Sequence, residues 1–451
     1  MTEIIGIDTP SLGDRSYLVT DGAVAFVVDP QRDIDRVLAL AEQHGVRITD
    51  VFETHIHNDY VTGGLALARA TGAAYHVNAA DPVAFDRSPV RDGEIVAVGT
   101  SMRVRALATP GHTFTHLSYV LEAPDRAPAV FTGGSLLFGS TGRPDLLGPG
   151  STGELVRAQY ASAHRLAGLL PDDTEVFPTH GFGSFCSATQ SRGERSTIGE
   201  EKRTNPALTS DEKSYVDRLL AGLDAFPAYY AHMGPANTAG PDAVTLIEPK
   251  TADPAELRAR IDAGEWVVDL RSRTAFAAGH VVGSLNFGLD GSFATYLGWL
   301  IPWGTPVSLL GETAAQVAEA QRELVRIGVD HVESAATGTP EEWSGSAPLG
   351  TFPRANFADL AHVRHHRPVT VLDVRRNLEW TEKHIDGAVH VPLHDLLRRL
   401  GEVPPGEIWV HCKSGYRASI AASVLAAADH HVVVIDDEFD RAEQAGLPLA
   451  A

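Results

Sequence analysis

Two stretches in the C-terminal half of the chain are copies of each other. VVDLRSRTAFAAGHVVGSLNF (267–287) lines up without a gap on VLDVRRNLEWTEKHIDGAVHV (371–391), at an offset of 104 residues. Asp269 matches Asp373, Arg271 matches Arg375, His280 matches His384 and Gly283 matches Gly387. Such a self-match requires one supersecondary unit to be built twice. Each copy opens with helix-like sequence, passes through an apolar strand and reaches a polar loop, which implies a small α/β sheet. The expected boundaries are 245–345 and 355–451. Linkers are expected at PANTAGPDA (235–243) and GSAPLGTFPRANF (345–357). Residues 1–238 remain for a separate N-terminal domain.

That N-terminal part alternates short β-rich runs with turns. AVAFVVD (23–29), ITDVFETH (48–55), RVRALATPGH (103–112), HLSYVLE (116–122), APAVFTGG (127–134) and EVFPTHGFGS (175–184) read as strands. DIDRVLALAEQHG (33–45) reads as a helix with a glycine stop. Histidines fall where strands end, so loops can gather them.

Charge and cysteine content narrow the setting. The chain has 58 acidic and 37 basic side chains, a net charge of -21. That field repels nucleic acid and anionic membranes, so neither is expected as a partner. No run approaches the roughly 18 apolar residues of a membrane span, and MTEIIGIDTP lacks the apolar core of a signal peptide. Cys186 and Cys412, far apart, read as individual thiols of a reducing cytoplasm. A cytoplasmic homo-oligomer is expected.

The stretch THIHNDY (54–60) packs His55, His57 and Asp59 together after a strand. His112 and His116 follow in TPGHTFTH, and His180 in PTHG. A lone histidine is usually a surface residue, but this clustering is the sequence trace of a metal site. THIHND, TPGHT, FTGG and PTHG, in this order, resemble the metallo-β-lactamase fold, especially its glyoxalase II and persulfide dioxygenase branch. GRPDL (142–146) favours the latter. The resemblance implies one metal position on His55, His57 and His112. It implies a second on Asp59, residue 60 and His180, with a bridging Asp at position 134. This chain departs from the pattern at Tyr60 and Gly134, and glycine offers no donor. The expectation is one cation, iron(II) or alternatively zinc, on His55, His57 and His112. Asp59 and His180 are then outer residues or additional ligands. Cys186, in a polar loop expected to be exposed, Arg143 and Asp145 are candidate substrate contacts. Arg and Lys residues between 186 and 208 are candidates to meet an anionic thiol. A decayed site that binds no metal stays open as an alternative.

HCKSGYRAS (411–419) follows the strand EIWV and precedes the helix-forming ASIAASVLAAA. A cysteine between strand and helix has amides and a helix dipole directed at its sulfur, which favours thiolate. Lys413 and Arg417 add positive charge. The loop Cys412-Lys413-Ser414-Gly415-Tyr416-Arg417 resembles that of rhodanese sulfurtransferases and is one residue shorter than the loop of related phosphatases. The resemblance implies a persulfide on Cys412, with Arg417 and the loop amides holding the donor. In the other copy Gly311 stands near the cysteine position, so that copy cannot do thiol chemistry. Its segment GSFATYLGWLIPWG (291–304) reads as core.

The expected fold class is therefore α/β: an αββα metallo-β-lactamase sandwich followed by two small rhodanese-like α/β domains. The implied activity joins persulfide dioxygenase chemistry to sulfur transfer. Its small-molecule partners are a thiol persulfide, dioxygen, sulfite and thiosulfate. A glyoxalase II-like thioester hydrolase and a sulfur relay are the alternatives.

Overall fold

The computed structural model describes residues 1–189, 193–244 and 246–451. It contains two compact units: Met1–Thr245 with Val325–Gly328, and Leu246–Leu324 with Val329–Ala451.

The first unit is an αββα sandwich. One sheet runs in the order Glu3–Thr9, Asp14–Thr20, Val24–Val28, Arg47–Phe52, Ala74–Asn78, Ser88–Val90. The other runs Glu175–Pro178, Ala129–Gly133, Leu117–Glu122, Met102–Ala108, Ile95–Val98. Successive strand residues face opposite sides, and this alternation builds the layers. Tyr17, Val19, Phe26, Phe52, Tyr119 and Phe131 pack between the sheets. Leu18, Val27 and Val51 face outward, in one cluster with Val37 and Leu67 of helices Asp35–His44 and Gly64–Thr71. Val120 and Val130 pack with Val156 and Leu166 of helix Pro149–Leu169. Phe26 meets Phe52 and Phe131 edge-on at 5.5 and 5.9 Å, a favourable arrangement for aromatic rings. Strands Arg47–Phe52, Met102–Ala108, Ala129–Gly133 and Glu175–Pro178 each lead into a loop that carries a candidate site residue.

PANTAGPDA is not the free linker expected from its composition. Residues 235–239 complete helix Tyr230–Ala239, with Pro235 inside it. Proline removes one helical hydrogen bond, but Asn237 supplies three tertiary ones. Its Nδ2 donates to the carbonyls of His57 and Tyr60, each at 2.9 Å. Its Oδ1 accepts from the Thr62 N–H at 2.9 Å.

The second unit contains the repeat as two sheets of identical strand order. The first runs Lys250–Thr251, Val332–Thr337, Val307–Gly311, Trp266–Asp269, Leu285–Asn286. The second runs Arg354–Ala355, His431–Ile435, Glu407–His411, Thr370–Asp373, Val389–His390. The duplicated residues serve the fold. Arg271 clamps Asp269 through Nη2 at 2.6 Å and donates to the Gly279 carbonyl at 2.8 Å. Arg375 does the same with Asp373 at 2.6 Å and the Lys383 carbonyl at 2.7 Å. His280 stacks on Phe276 at 4.0 Å, and His384 on Trp380 at 3.6 Å. Gly283 and Gly387 turn the chain at φ +89° and +75°, where a side chain is strained. The second expected linker is also structured. Leu349–Gly350 pairs with His280–Val281, and Arg354–Ala355 pairs with strand His431–Ile435. Helix Phe293–Leu300 is largely buried, as core.

Candidate metal centre and thiol loop

The histidines of the first unit are buried together, and their hydrogen bonds fix their tautomers. Thr54 Oγ1 donates to Asp29 Oδ2 at 2.7 Å and lies 2.8 Å from His55 Nδ1. A hydroxyl has one proton, so His55 Nδ1 is the donor and its Nε2 is bare. His112 Nδ1 lies 2.8 Å from the Arg143 carbonyl, which can only accept. His112 Nε2 is therefore bare, and it is buried without a hydrogen-bond partner. His180 Nδ1 donates to Asp14 Oδ1 at 2.9 Å, which turns its Nε2 toward His55 Nε2 at 3.4 Å. One donor atom from each of His55, His112 and His180 lies within 4.8 Å of the others.

This donor set fits a cation. Two nitrogens held about 2.0–2.1 Å from a tetrahedral ion stand roughly 3.3–3.4 Å apart, close to the His55–His180 separation. Burial drives His55 well below the ordinary imidazole range and takes His112 to about 3, with neighbouring imidazoles adding to the effect. Burial opposes charge on His180 too, but Asp59 and Asp14 outweigh it and lift that ring to about 9.

The donor group that contains His55 and His112 takes His180 as its third member, while the His57 ring lies 4.1 Å from that of His55. His57 Nε2 points to Glu53 at 3.2 Å and Asp29 at 3.3 Å, with the Tyr60 hydroxyl at 3.1 Å. Two buried carboxylates hold that edge of the ring. They raise His57 well above its ordinary range against the effect of burial. Only Nδ1 remains, and it joins a neighbouring group with Asp59 and His180. His180, expected in an outer or additional role, stands in two of the three donor groups among the described residues, the third being Asp29, Glu53 and His57. His116 is no donor, because its Nε2 accepts from the Gly134 N–H at 3.1 Å. Tyr60 stacks on His57 at 4.3 Å, and burial keeps it a neutral phenol. A Cβ at Gly134 would lie 2.3 Å from His112 Cδ2. The imidazole occupies the space from which an aspartate stem would grow.

Three expected substrate contacts are absorbed by the fold. The Arg143 guanidinium is buried against Asp145, with both contacts at 2.7 Å, and also donates to the carbonyls of Phe185 and Asp224. Asp145 is spent in the same pair. Cys186 is buried rather than exposed, with its thiol beside Asp59 and Tyr230. Burial, then Asp59 and Asp14, push that thiol well above its ordinary range. In the segment after Cys186, Lys202 pairs with Asp172 at 2.5 Å, and Asn205 donates to the carbonyls of Leu137 and Ser140. Arg192 lies outside the described residues.

Asp29 is the hub that sequence reading missed. Burial would raise its carboxyl. The His57 charge and hydrogen bonds from His57, Thr179 and Thr54 hold it below the ordinary range instead. It sits at φ +50°, where a non-glycine residue is strained, and these bonds fix it there. An Asp closing the apolar run AVAFVVD is its sequence signal.

In the second unit Cys412 lies between strand Glu407–His411 and helix Tyr416–Ala427. The Gly415 N–H donates to Cys412 Sγ at 3.1 Å. Gly415 takes φ +98°, and a Cβ there would lie 2.3 Å from Asp436 Oδ1. Arg417 donates through both terminal nitrogens to Glu379, at 2.6 and 2.7 Å. The Tyr416 hydroxyl is not turned to sulfur chemistry, because it donates to the Gly288 carbonyl of the other copy at 2.7 Å. Lys413 is exposed and Ser414 half-buried. Strand register shows why the first copy lacks a thiol. Asp269 pairs with Leu310 as Asp373 pairs with His411, so the following residues, Gly311 and Cys412, correspond. Neither cysteine of the chain is in a disulfide.

Residues 14–180 match the model of the metallo-beta-lactamase superfamily, and 253–344 and 357–444 match that of the rhodanese-like domain. A hydroxyacylglutathione hydrolase of Pseudomonas entomophila is 31% identical over 212 residues, covering 42% of this chain and 78% of the relative. The chain belongs to the metallo-β-lactamase superfamily. Another member, a hydroxyacylglutathione hydrolase of Polaromonas, is 35% identical over 172 residues. That match spans 37% of this chain but only 62% of the relative's length. A human mitochondrial persulfide dioxygenase is 28% identical over 215 residues, covering 47% of this chain and 75% of that protein. Among solved structures, a metallo-β-lactamase from Staphylococcus aureus superposes with TM-score 0.66 at 27% identity. It covers 75% of this chain and 99% of its own. No described helix is long and apolar enough to cross a membrane.

Proposed function

We propose that the chain is a persulfide dioxygenase joined to a sulfurtransferase, acting on a small thiol persulfide. The observation that carries the dioxygenase half is the grouping of His55, His112 and His180, into which the bare Nε2 atoms of His55 and His112 turn. It is paired with a Gly134 that offers no bridging carboxylate and whose side-chain space His112 fills. A centre of this kind suits one cation better than a bridged pair. Iron(II) bound there supplies dioxygen binding and activation. The protein's residues do the holding: Thr54 orients His55, the Arg143 carbonyl orients His112, and Asp14 orients His180.

The second half of the proposal is Cys412 as sulfur carrier. The Gly415 amide and the start of the following helix stabilise sulfur anion. Thiolate takes the outer sulfur of a persulfide, and the carrier passes it to sulfite to give thiosulfate or runs the reverse. Thioester hydrolysis is the second reading. The group of His57, Asp59 and His180 favours it as a second ion site, and so do the names of several relatives. Elemental analysis of full-length protein decides between them, together with oxygen uptake on a panel of thiol persulfides and hydrolysis of glutathione thioesters. One iron per chain with persulfide-dependent oxygen uptake is expected. Two zinc ions with thioester hydrolysis and no oxygen uptake would refute the dioxygenase.

A further inference from the structure

Two carboxylates beside the Cys412 loop each hold two guanidinium groups: Glu379 those of Arg417 and Arg376, and Asp436 those of Arg273 and Arg354. Arg417 is held by both oxygens of Glu379, and the two side chains are only 9% and 20% exposed. Arg376 donates its backbone N–H to the same carboxylate at 3.1 Å. Arg273, from the cysteine-free copy, is held by Asp436 at 2.7 Å, next to Gly415. A bidentate carboxylate fills the fork with which a guanidinium would grip an oxyanion. The half-buried setting weakens solvent screening, so the carboxylate's charge is felt by any anion that approaches Arg417. At the position equivalent to Glu379 the cysteine-free copy has Ala275. The carboxylate therefore accompanies the thiol and is not one of the residues the two copies share.

We propose that Glu379 selects sulfur donors by charge, favouring a monoanionic thiol persulfide over the dianion thiosulfate. This rests on the reading of Cys412 as a sulfur carrier. In loading from a persulfide, the Cys412 thiolate attacks the outer sulfur of R–S–S⁻. The S–S bond breaks, RS⁻ leaves with the electron pair, and Cys412–S–S⁻ forms. Loading from thiosulfate breaks the S–S bond in the same way and releases sulfite. Only the second donor must place a sulfonate against Arg417, and it can do so only by displacing Glu379 or lying against it. Glu379 acts through Arg417 and is a specificity residue, not a catalytic one.

Full-length wild type, Glu379→Gln and Glu379→Asp are compared in thiocyanate formation from thiosulfate and from 2-hydroxyethyl persulfide, a monoanion, with cyanide as acceptor. Glu379→Gln is expected to lower KM for thiosulfate about tenfold, with kcat and the persulfide KM within about twofold of wild type. Glu379→Asp should restore the wild-type pattern. An unchanged or raised thiosulfate KM in Glu379→Gln overturns the proposal. A measurement on the unmodified chain guards against a variant that folds poorly. The rate ratio of iodoacetate to iodoacetamide alkylation, read by mass spectrometry of the Cys412 peptide, should fall below that of a free cysteine peptide. A ratio at or above the free-peptide value overturns the charge argument. Transfer that survives Cys412→Ser would instead overturn the carrier assignment, and the alkylation ratio would still decide the role of Glu379.

Discussion

Replacing Thr54 with valine removes one hydroxyl from a buried position without changing its shape. That hydroxyl makes two contacts, 2.7 Å to Asp29 and 2.8 Å to His55 Nδ1. Asp29 keeps the Thr54 N–H at 2.7 Å and the Thr179 hydroxyl at 2.5 Å, so its loss is partial. His55 Nδ1 loses its partner in a fully buried setting, which costs about 1–3 kcal/mol. Together the fold should lose about 2–3 kcal/mol. The effect on the metal is separate. Without the hydroxyl nothing holds the proton on Nδ1, and the ring can present the wrong nitrogen to the cation. Loss of an orienting partner of this kind weakens metal affinity about 10- to 100-fold. Competition against a chromophoric chelator gives the affinity, and urea denaturation gives the stability. Thr54→Ser should bind as wild type. If Thr54→Val also binds within about twofold of wild type, the tautomer argument for His55 as an Nε2 ligand is wrong.

Because His180 groups with His55 and His112 while Glu53 and Asp29 hold His57 Nε2, His180→Ala should reduce bound metal at least about tenfold more than His57→Ala, measured by elemental analysis after limited chelation. Asn237→Ala strands the His57 and Tyr60 carbonyls and the Thr62 N–H, and should lower unfolding free energy by about 2–3 kcal/mol with a weaker metal site. Glu379 gives a pH signature. Arg417 and Arg376 hold its carboxyl at about 2 against the effect of burial, below the ordinary 4.5. A depressed carboxyl stabilises the fold above its unfolded value and loses that stabilisation as pH falls through the folded one. The stability gap between wild type and Glu379→Gln should therefore be full above about pH 5 and shrink toward about pH 2. A gap that does not change over this window would show that the pair adds no stability.

The metal region was legible in the sequence to the level of its motifs and not to the level of its ligands. His55, His57 and His112 stand out because chemistry-bearing residues recur at strand ends. Which nitrogen each one offers depends on residues that carry no motif. Thr54 is adjacent to His55, but Asp29, Asp14 and Asn237 reach the site from other strands and a distant helix. Nothing local to His57 reveals that Glu53 and Asp29 close on its Nε2. Composition misled at 235–240, where Pro, Asn and Gly mark turns in general. Here the three bonds of Asn237 outweigh that preference. Cys186 was read as exposed from its Gly- and Ser-rich neighbours. The loop in fact folds inward, because the Cys186 carbonyl accepts from the Arg143 N–H at 2.8 Å.

The repeat shows the opposite relation between legibility and chemistry. What the two copies share most plainly, the Asp-x-Arg clamp, the stacked histidine and the turning glycine, is scaffold. A buried bidentate pair with one further carbonyl fixes the end of a strand. It must recur wherever that strand end recurs, whether or not a thiol follows. The residues on which the proposed chemistry rests lie where the copies differ: Cys412 against Gly311, and Glu379 against Ala275. The cysteine-free copy still lends a carbonyl to Tyr416 and a guanidinium to Asp436. Both contacts fall on the loop or beside it, so the cysteine-free copy forms part of the wall against which the other copy's loop is set. The same comparison generalises. In a duplicated domain the matched positions report how the chain folds, and the mismatched buried charges are where a selective function is to be sought.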